Sequence, residues 1–154
     1  MKLLFKAPAF FLLSILLLTS CEKDNEPEPT ILEGKWISVE QKSVYYDEGG
    51  NVLYEVSNND PVIKLEYNRN KMIEQAGTSS SVTSTFSITQ ENGKDYITYT
   101  PDNAQGFPGA KMQLIEVTDS QLILQTVTPF GLYEENGEAR EADKLVKTIV
   151  YDKL

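Results

Sequence analysis

A chain of 154 residues that contains no histidine and a single cysteine has few chemistries open to it. Histidine is the commonest general base and the usual ligand of zinc or copper, so carboxylates, hydroxyls and lysines are what remain. Carboxylates gather at Glu134, Glu135, Glu138 and Glu141. Glycoside hydrolysis needs two such groups at a set separation, which nothing in this spacing fixes, and a charged run of this kind reads as a solvated loop. Asp47-Glu48-Gly49-Gly50-Asn51 offers oxygen ligands without the spaced pattern of a dedicated calcium loop. Neither a glycine-rich phosphate loop ahead of a helix nor a nucleophile elbow occurs. No catalytic residue, metal ligand or cofactor is assigned on these grounds, and the expected activity is binding. The candidates for ligand contact are aromatic: Phe107, between glycine and prolines in the loop-like segment Pro101 to Gly109, and Phe130 and Tyr133 farther on. Each suits an apolar or sugar ligand and suits loop anchoring equally well, and Phe107 is favoured as a lid folded over the domain.

The lone cysteine, Cys21, closes a different pattern. Lys2 and Lys6 give a positive start, Ala7 to Leu17 an apolar run, and Thr19 and Ser20 small residues ahead of Cys21, which is the layout of a secretory signal over residues 1–20. The run is shorter than the about 20 apolar residues of a membrane-spanning helix. Cleavage before Cys21 leaves 134 of the 154 residues, enough for one core and too few for two ordinary domains. It also removes Lys2 and Lys6 from the 14 basic side chains, so 12 remain against 23 acidic ones, a net charge of −11. Such a surface repels phosphate backbones, and a nucleic-acid partner is not expected. With Cys21 engaged, no thiol is left for a disulfide or for catalysis. Residues 22–29 hold two prolines and no apolar side chain. Residues 21–30 are therefore expected to form a solvated tether ahead of a domain over 31–154.

Leu18-Thr19-Ser20-Cys21 resembles the lipobox of bacterial lipoproteins. The resemblance implies that the Cys21 thiol takes a diacylglyceryl group carrying fatty chains such as palmitate, and that the protein is an outer-membrane lipoprotein. Glu22-Lys23-Asp24 is similar to the acidic, lysine-containing signals that export some bacterial lipoproteins to the outer surface. A plain linker facing the periplasm accounts for the same residues, so periplasmic and surface-exposed locations both stand.

From Ile31 onward apolar residues alternate with polar ones, and turn signals recur every eight to twelve residues, as an antiparallel all-β domain requires. Strands are expected over Trp36 to Tyr46, Val52 to Val56, Val62 to Tyr67, Met72 to Ala76, Val82 to Thr89, Tyr96 to Thr100, Met112 to Val117, Leu122 to Val127 and Leu145 to Tyr151. Asn92-Gly93 suits a two-residue type I′ turn, and Gly49-Gly50 can supply the positive φ of another tight hairpin. Residues 132–145 fit either a short helix or a hairpin turning at Asn136-Gly137, since glycine costs a helix about 1 kcal/mol relative to alanine. About 8–9 strands joined in sequence make either an up-and-down β-barrel or a β-sandwich. Full closure protects sheet edges, and consecutive hairpins favour the barrel.

The first strand opens Leu32-Glu33-Gly34-Lys35-Trp36, and this Gly-x-Trp resembles the N-terminal signature of lipocalins. With the lipobox and the closing Ile149-Val150-Tyr151, the chain resembles the lipocalin-like lipoproteins of Gram-negative bacteria over Ile31 to Leu154. The resemblance implies that Gly34 permits a tight approach, that Trp36 plugs the barrel base, and that a basic residue on the last strand, here Lys147, stacks on the tryptophan. The second and third lipocalin motifs and the expected disulfide are missing. It further implies a small apolar or glycan-derived ligand held in or over the barrel, without catalysis. A barrel filled by its own side chains, presenting loops to an envelope protein partner, is the alternative.

If every connection is a hairpin, the turns Asp47 to Gly50, Asn68 to Asn70, Glu91 to Lys94 and Thr118 to Ser120 share one barrel end. The longer connections Ser57 to Pro61, Gly77 to Ser81, Pro101 to Ala110 and Pro129 to Asp143 then share the other with the tether. Long loops concentrate function, so the binding site is expected at that second end.

Overall fold

The computed structural model describes residues 31–103 and 109–154. Residues 1–20, Cys21, the remainder of 21–30, and Phe107 lie outside the described residues. The described chain is all-β. Its strands are β1 (Gly34–Tyr46), β2 (Val52–Asn58), β3 (Ile63–Asn68), β4 (Lys71–Ala76), β5 (Val82–Glu91), β6 (Lys94–Pro101), β7 (Ala110–Val117), β8 (Gln121–Thr128), β9 (Gly131–Glu135), β10 (Glu138–Ala142) and β11 (Lys144–Lys153). Eight of them close an antiparallel barrel in the order β1, β3, β4, β5, β6, β7, β8, β11, with β11 returning to β1. The barrel expected from the meander is thus the observed fold, and the sandwich is not.

Closure is made by the longest ladder, from Trp36 opposite Lys153 to Tyr46 opposite Lys144. The lower part of β1, Gly34 to Ile37, pairs with β3 on its other side, and the upper part, Gln41 to Tyr46, pairs with β2. β2 and β3 are therefore two halves of one wall position, running the same way along β1. The break between them, residues 59–62, is stitched to β1 by hydrogen bonds. Ser38 Oγ donates to Asn59 Oδ1 (2.7 Å) and accepts from the Ile63 N–H (2.8 Å). Asn59 Nδ2 donates to the Ser38 carbonyl (2.8 Å), and Gln41 Nε2 donates to the Pro61 carbonyl (2.6 Å). β1 answers with a bulge between Ser38 and Glu40, which absorbs part of the extra length.

This break reverses the expected assignment of the barrel ends. Ser57 to Pro61 is no end loop, so the turn after β1 falls at the end of the long connections 77–81, 101–110 and 129–143. The short turns at 68–70, 91–94 and 118–120 share the opposite end with the start of β1 and the end of β11. The Arg69 N–H donates to Glu33 (3.2 Å), the Lys153 N–H to Ser120 (2.9 Å) and the Leu154 N–H to Lys35 (2.8 Å). The chain thus enters the barrel at the short-turn end, not at the end of the long loops.

Two turns form as their residues require. Asn92 and Gly93 have φ of 52° and 75°, and Asn136 and Gly137 have 56° and 79°, the positive pair of a type I′ turn. Residues 131–142 are accordingly a hairpin and not a helix. At Asp47 to Asn51 only Gly50 has positive φ (83°). There the Asp47 carboxylate organises a longer loop by accepting from the Asn51 N–H (2.7 Å) and Nδ2 (2.9 Å), which holds its carboxyl below the usual range.

The core fills the short-turn half of the barrel. Leu32 and Trp36 are wholly buried at its base, and Leu65, Tyr67, Met72, Phe86, Ile97, Tyr99, Leu122, Leu124, Ile149 and Tyr151 pack above them. Trp36 Nε1 donates to the Leu32 carbonyl (2.8 Å), so the buried indole carries no unmet donor. The cation over its ring is Lys153, 5.1 Å from the centroid, and not Lys147. Lys153 is opposite Trp36 in the ladder, whereas Lys147 is opposite Ser43, too far along β11 to reach it. Gly34 makes the approach feasible: a Cβ there would lie 2.8 Å from Lys153 Cε, and its φ of 126° is one that L side chains rarely adopt.

Trp36→Ala is expected to destabilise the domain by about 3–5 kcal/mol. Gly34→Ala should cost at least about 1 kcal/mol, because it adds both strain and a clash. Urea denaturation followed by tyrosine fluorescence measures both. A Trp36→Ala loss near zero would show that the base is not the anchor of the core.

Candidate functional site

Strand alternation sets a buried floor apart from some inner-face positions above it that solvent reaches. Opposed residues in a ladder point to the same face, so a residue paired with a core side chain faces inward. Tyr67 opposes Met72, Leu65 opposes Glu74, and Glu74 opposes Val82. Glu74 thus shares the inner face with the buried Leu65 and Met72, yet it is exposed, and Val82 is 45% exposed. On the far wall Ile149 opposes Gln41 and Leu124, while Lys147 opposes Ser43 and Thr126. Lys147 and Thr126 are half-buried. Solvent therefore reaches the inner face above the core.

Strand tilt sets the heights of these groups. Starting from Trp36 at the base, one cross-strand row passes through Leu65 and Glu74 to Val82, the first residue of β5. In the other direction the same row meets Lys153 and, through its N–H, the turn residue Ser120 at the barrel base. The row climbs as it goes round, as tilted strands in a closed barrel demand. Glu74 consequently stands well above the tryptophan plug although the two share a row.

The floor under this space is polar at its centre. The Tyr67 and Tyr99 hydroxyls share a hydrogen bond of 2.5 Å. Tyr151 is 2% exposed and Ser84 3% exposed, both on the inner face. Neither hydroxyl makes a hydrogen bond, and neither Glu74 nor Lys147 makes a hydrogen bond or ion pair, among the described residues. Burial raises the pKa of all three tyrosines, and the Glu74 carboxylate raises each further. These residues are held by the register of β3, β4, β5, β6 and β11 rather than by loops, which gives them fixed mutual positions.

The loop aromatics take separate places. Tyr133 stacks on Tyr54 with centroids 5.1 Å apart and lies 5.1 Å from Tyr45. Gly131 packs where a Cβ would meet Leu145 at 2.9 Å and Tyr45 at 3.0 Å. The β9–β10 hairpin thus leans against the inner face of upper β1, β2 and β11. Phe130 is 50% exposed and joins none of these contacts. Glu135 and Glu138 pair with Arg140 at 3.0 and 3.4 Å on that hairpin, so they do not converge as a free carboxylate pair. At the foot of the 101–110 connection, Asp102 accepts from Lys71 Nζ (2.8 Å) and Thr85 Oγ1 (3.0 Å), and this pairing holds its carboxyl below the usual range. A groove of about 510 Å³ on the outer wall follows the row Glu66, Ile73 and Thr83 and brings none of the candidate residues together.

The chain matches no protein-family model, no curated protein and no solved structure. The closed eight-stranded antiparallel barrel is consistent with the lipocalin-like fold that Gly34 and Trp36 resemble.

Attention to loops alone misses Glu74, Tyr151 and Ser84. A readable signal existed in the Asn68-Arg69-Asn70 turn. It brings Met72 opposite Tyr67 and therefore Glu74 opposite Leu65, which puts a carboxylate on an otherwise apolar face.

The tyrosines provide a pH test. Their folded pKa values are raised, so the unfolded chain releases the phenolic protons first, near pH 10. Stability contributed by Tyr67, Tyr99 and Tyr151 is full below about pH 10 and is lost as pH rises toward the folded values. Absorbance titration at about 295 nm should show these three of the eight tyrosines ionising only with loss of the fold. Substituting Tyr67, Tyr99 and Tyr151 singly by Phe should remove one late-ionising group each.

Proposed function

We propose that the chain is a lipid-anchored, lipocalin-like protein of the bacterial cell envelope that binds a small ligand in the upper half of its barrel and does no chemistry on it. The observation that carries this reading is the division of the interior. A packed base at the end where the chain enters lies beneath inner-face positions at the end of the long connections that carry the exposed Glu74 and the half-buried Lys147, neither partnered among the described residues. Of the ligand classes expected, a polar, glycan-derived one suits the lining better than a wholly apolar one. An alkyl chain would strip water from Glu74 and Lys147 and offer them nothing in return, at several kcal/mol per ion.

Under the same reading, Cys21 is the acylated anchor in the outer membrane. Roughly ten residues, spanning at most about 3.3–3.6 Å each, would join it to the closed end of the barrel. The mouth would then face away from the lipid, whether the protein sits in the periplasm or on the cell surface.

The second reading, a barrel that presents itself to an envelope protein, is favoured by one feature. The β9–β10 hairpin occupies part of the upper barrel through Tyr133, and Val127, Phe130 and Leu132 around its root are more than half, or half, exposed (57%, 50% and 59%).

Native mass spectrometry of the protein purified from its host separates the two. A bound mass of a few hundred daltons that vanishes on denaturation supports the ligand reading. An apo barrel with a stoichiometric co-purifying polypeptide overturns it in favour of the second. For the anchor, Cys21→Ala should release the protein from the membrane fraction and abolish incorporation of an alkyne-palmitate label. Unchanged membrane association would exclude Cys21 as the anchor.

A further inference from the structure

Two charges above the floor and two hydroxyls within it have no hydrogen-bond or ion-pair partner among the described residues, for reasons of geometry. Glu74 on β4 and Lys147 on β11 both face inward, but the wall positions of β3 and β1 lie between their strands, and they form no ion pair among the described residues. Tyr151 lies two inward positions below Lys147 on the same strand, and Ser84 is opposite Met72, one inward position below the level of Glu74. The two hydroxyls are buried without partners among the described residues, an arrangement that costs free energy unless something else meets them. The Tyr67–Tyr99 pair adds one more hydroxyl proton, since two hydroxyls joined by a single hydrogen bond use only one of their two hydrogens.

We propose that the upper barrel takes a small zwitterion, of amino-acid to short-peptide size, with its ammonium at Glu74 and its carboxylate at Lys147. This rests on the ligand-binding reading above and specifies its ligand class. The inner face carries one negative and one positive charge held apart. A neutral ligand would leave both without a partner as it displaced water, and a singly charged ligand would leave one so. Only a molecule bearing both charges compensates both, and selectivity follows from that mismatch. The Tyr151 and Ser84 hydroxyls complete the set by donating to the carboxylate or accepting from the ammonium. The floor beneath, Leu124, Met112 and Phe86, accommodates a small apolar side group. Free peptides and peptide-bearing cell-wall fragments share this chemistry.

Isothermal titration calorimetry of the intact barrel tests this with five probes: dialanine, N-acetyl-dialanine, dialanine amide, a disaccharide–tripeptide from peptidoglycan, and the neutral disaccharide alone. The zwitterionic probes should bind, and blocking either end of dialanine should weaken it at least about tenfold. Glu74→Gln should abolish the penalty for N-acetylation while keeping that for amidation, and Lys147→Met should do the reverse. Neither variant removes a core side chain, and unchanged near-ultraviolet circular dichroism verifies that each is folded. Binding of the disaccharide–tripeptide in preference to dialanine supports the proposal with a cell-wall source, and comparable binding supports it with a free-peptide source. If the blocked probes or the neutral disaccharide bind as well as the zwitterions, the zwitterion proposal fails while the ligand-binding reading survives. If none of the five binds, the zwitterion proposal is overturned, and an accompanying absence of any small mass on the host-purified protein overturns the ligand-binding reading with it.

Discussion

The ladder between the first and last strands is the constraint on which everything else rests. It runs from Trp36 opposite Lys153 to Tyr46 opposite Lys144, and it joins residues 117 positions apart in sequence at one end and 98 at the other. Loop closure over such a distance is entropically expensive, and the interactions that offset it are concentrated at one end of the seam. There Trp36, wholly buried with Leu32, meets the Lys153 ammonium, and the absence of a side chain at Gly34 lets Lys153 lie across the strand. The same ladder brings the start of β1 and the end of β11 to the base and thereby makes the opposite end the free one.

A second constraint decides what that free end looks like. β1 is longer than any single partner on its far side, so the neighbouring wall is built from two strands in line, β2 above and β3 below. Four residues must cross the gap, and they would leave polar groups exposed to the interior without Ser38, Asn59 and Gln41, whose side chains meet the Ile63 N–H and the Ser38 and Pro61 carbonyls. Because the two halves run in the same direction, one connection drops out of the up-and-down count. Every later turn then changes ends, which is why the long connections gather with the Asp47 loop opposite the chain entry.

The all-β class, the number of strands and most of their limits were legible in the alternation of apolar and polar residues. Asn92-Gly93 marked its turn because both residues tolerate positive φ, and the same dipeptide at 136–137 decided between hairpin and helix in the way its chemistry suggests. What was not legible depends on tertiary register. Ser57 to Pro61 has the composition of a reversing turn, and only the ladder to β1 reveals that the chain continues straight on. Lys147 and Lys153 share the inner face of one strand, and which of them meets Trp36 is settled by the β1–β11 register and not by residue type. Tyr133 reads as a loop residue, yet its ring belongs to a cluster with Tyr45 and Tyr54, strands away in sequence.

Glu74 and Lys147 break the rule that inward-facing positions of a small barrel are apolar. Such departures from local consistency are expected where a protein retains a site at the expense of stability. Their location agrees with that view, for neither charge lies within the packed base, where an unpaired ion would threaten the fold. Both stand just above it, where water still reaches them. The packed half supplies the stability and fixes the strands rigidly in register. The upper half inherits that rigidity, so strand register holds its charged groups, and the hydroxyls beneath them, in place. Groups pre-positioned in this way lose little freedom on binding, and a barrel divided into a dry base and a wet mouth obtains this property from strand register alone.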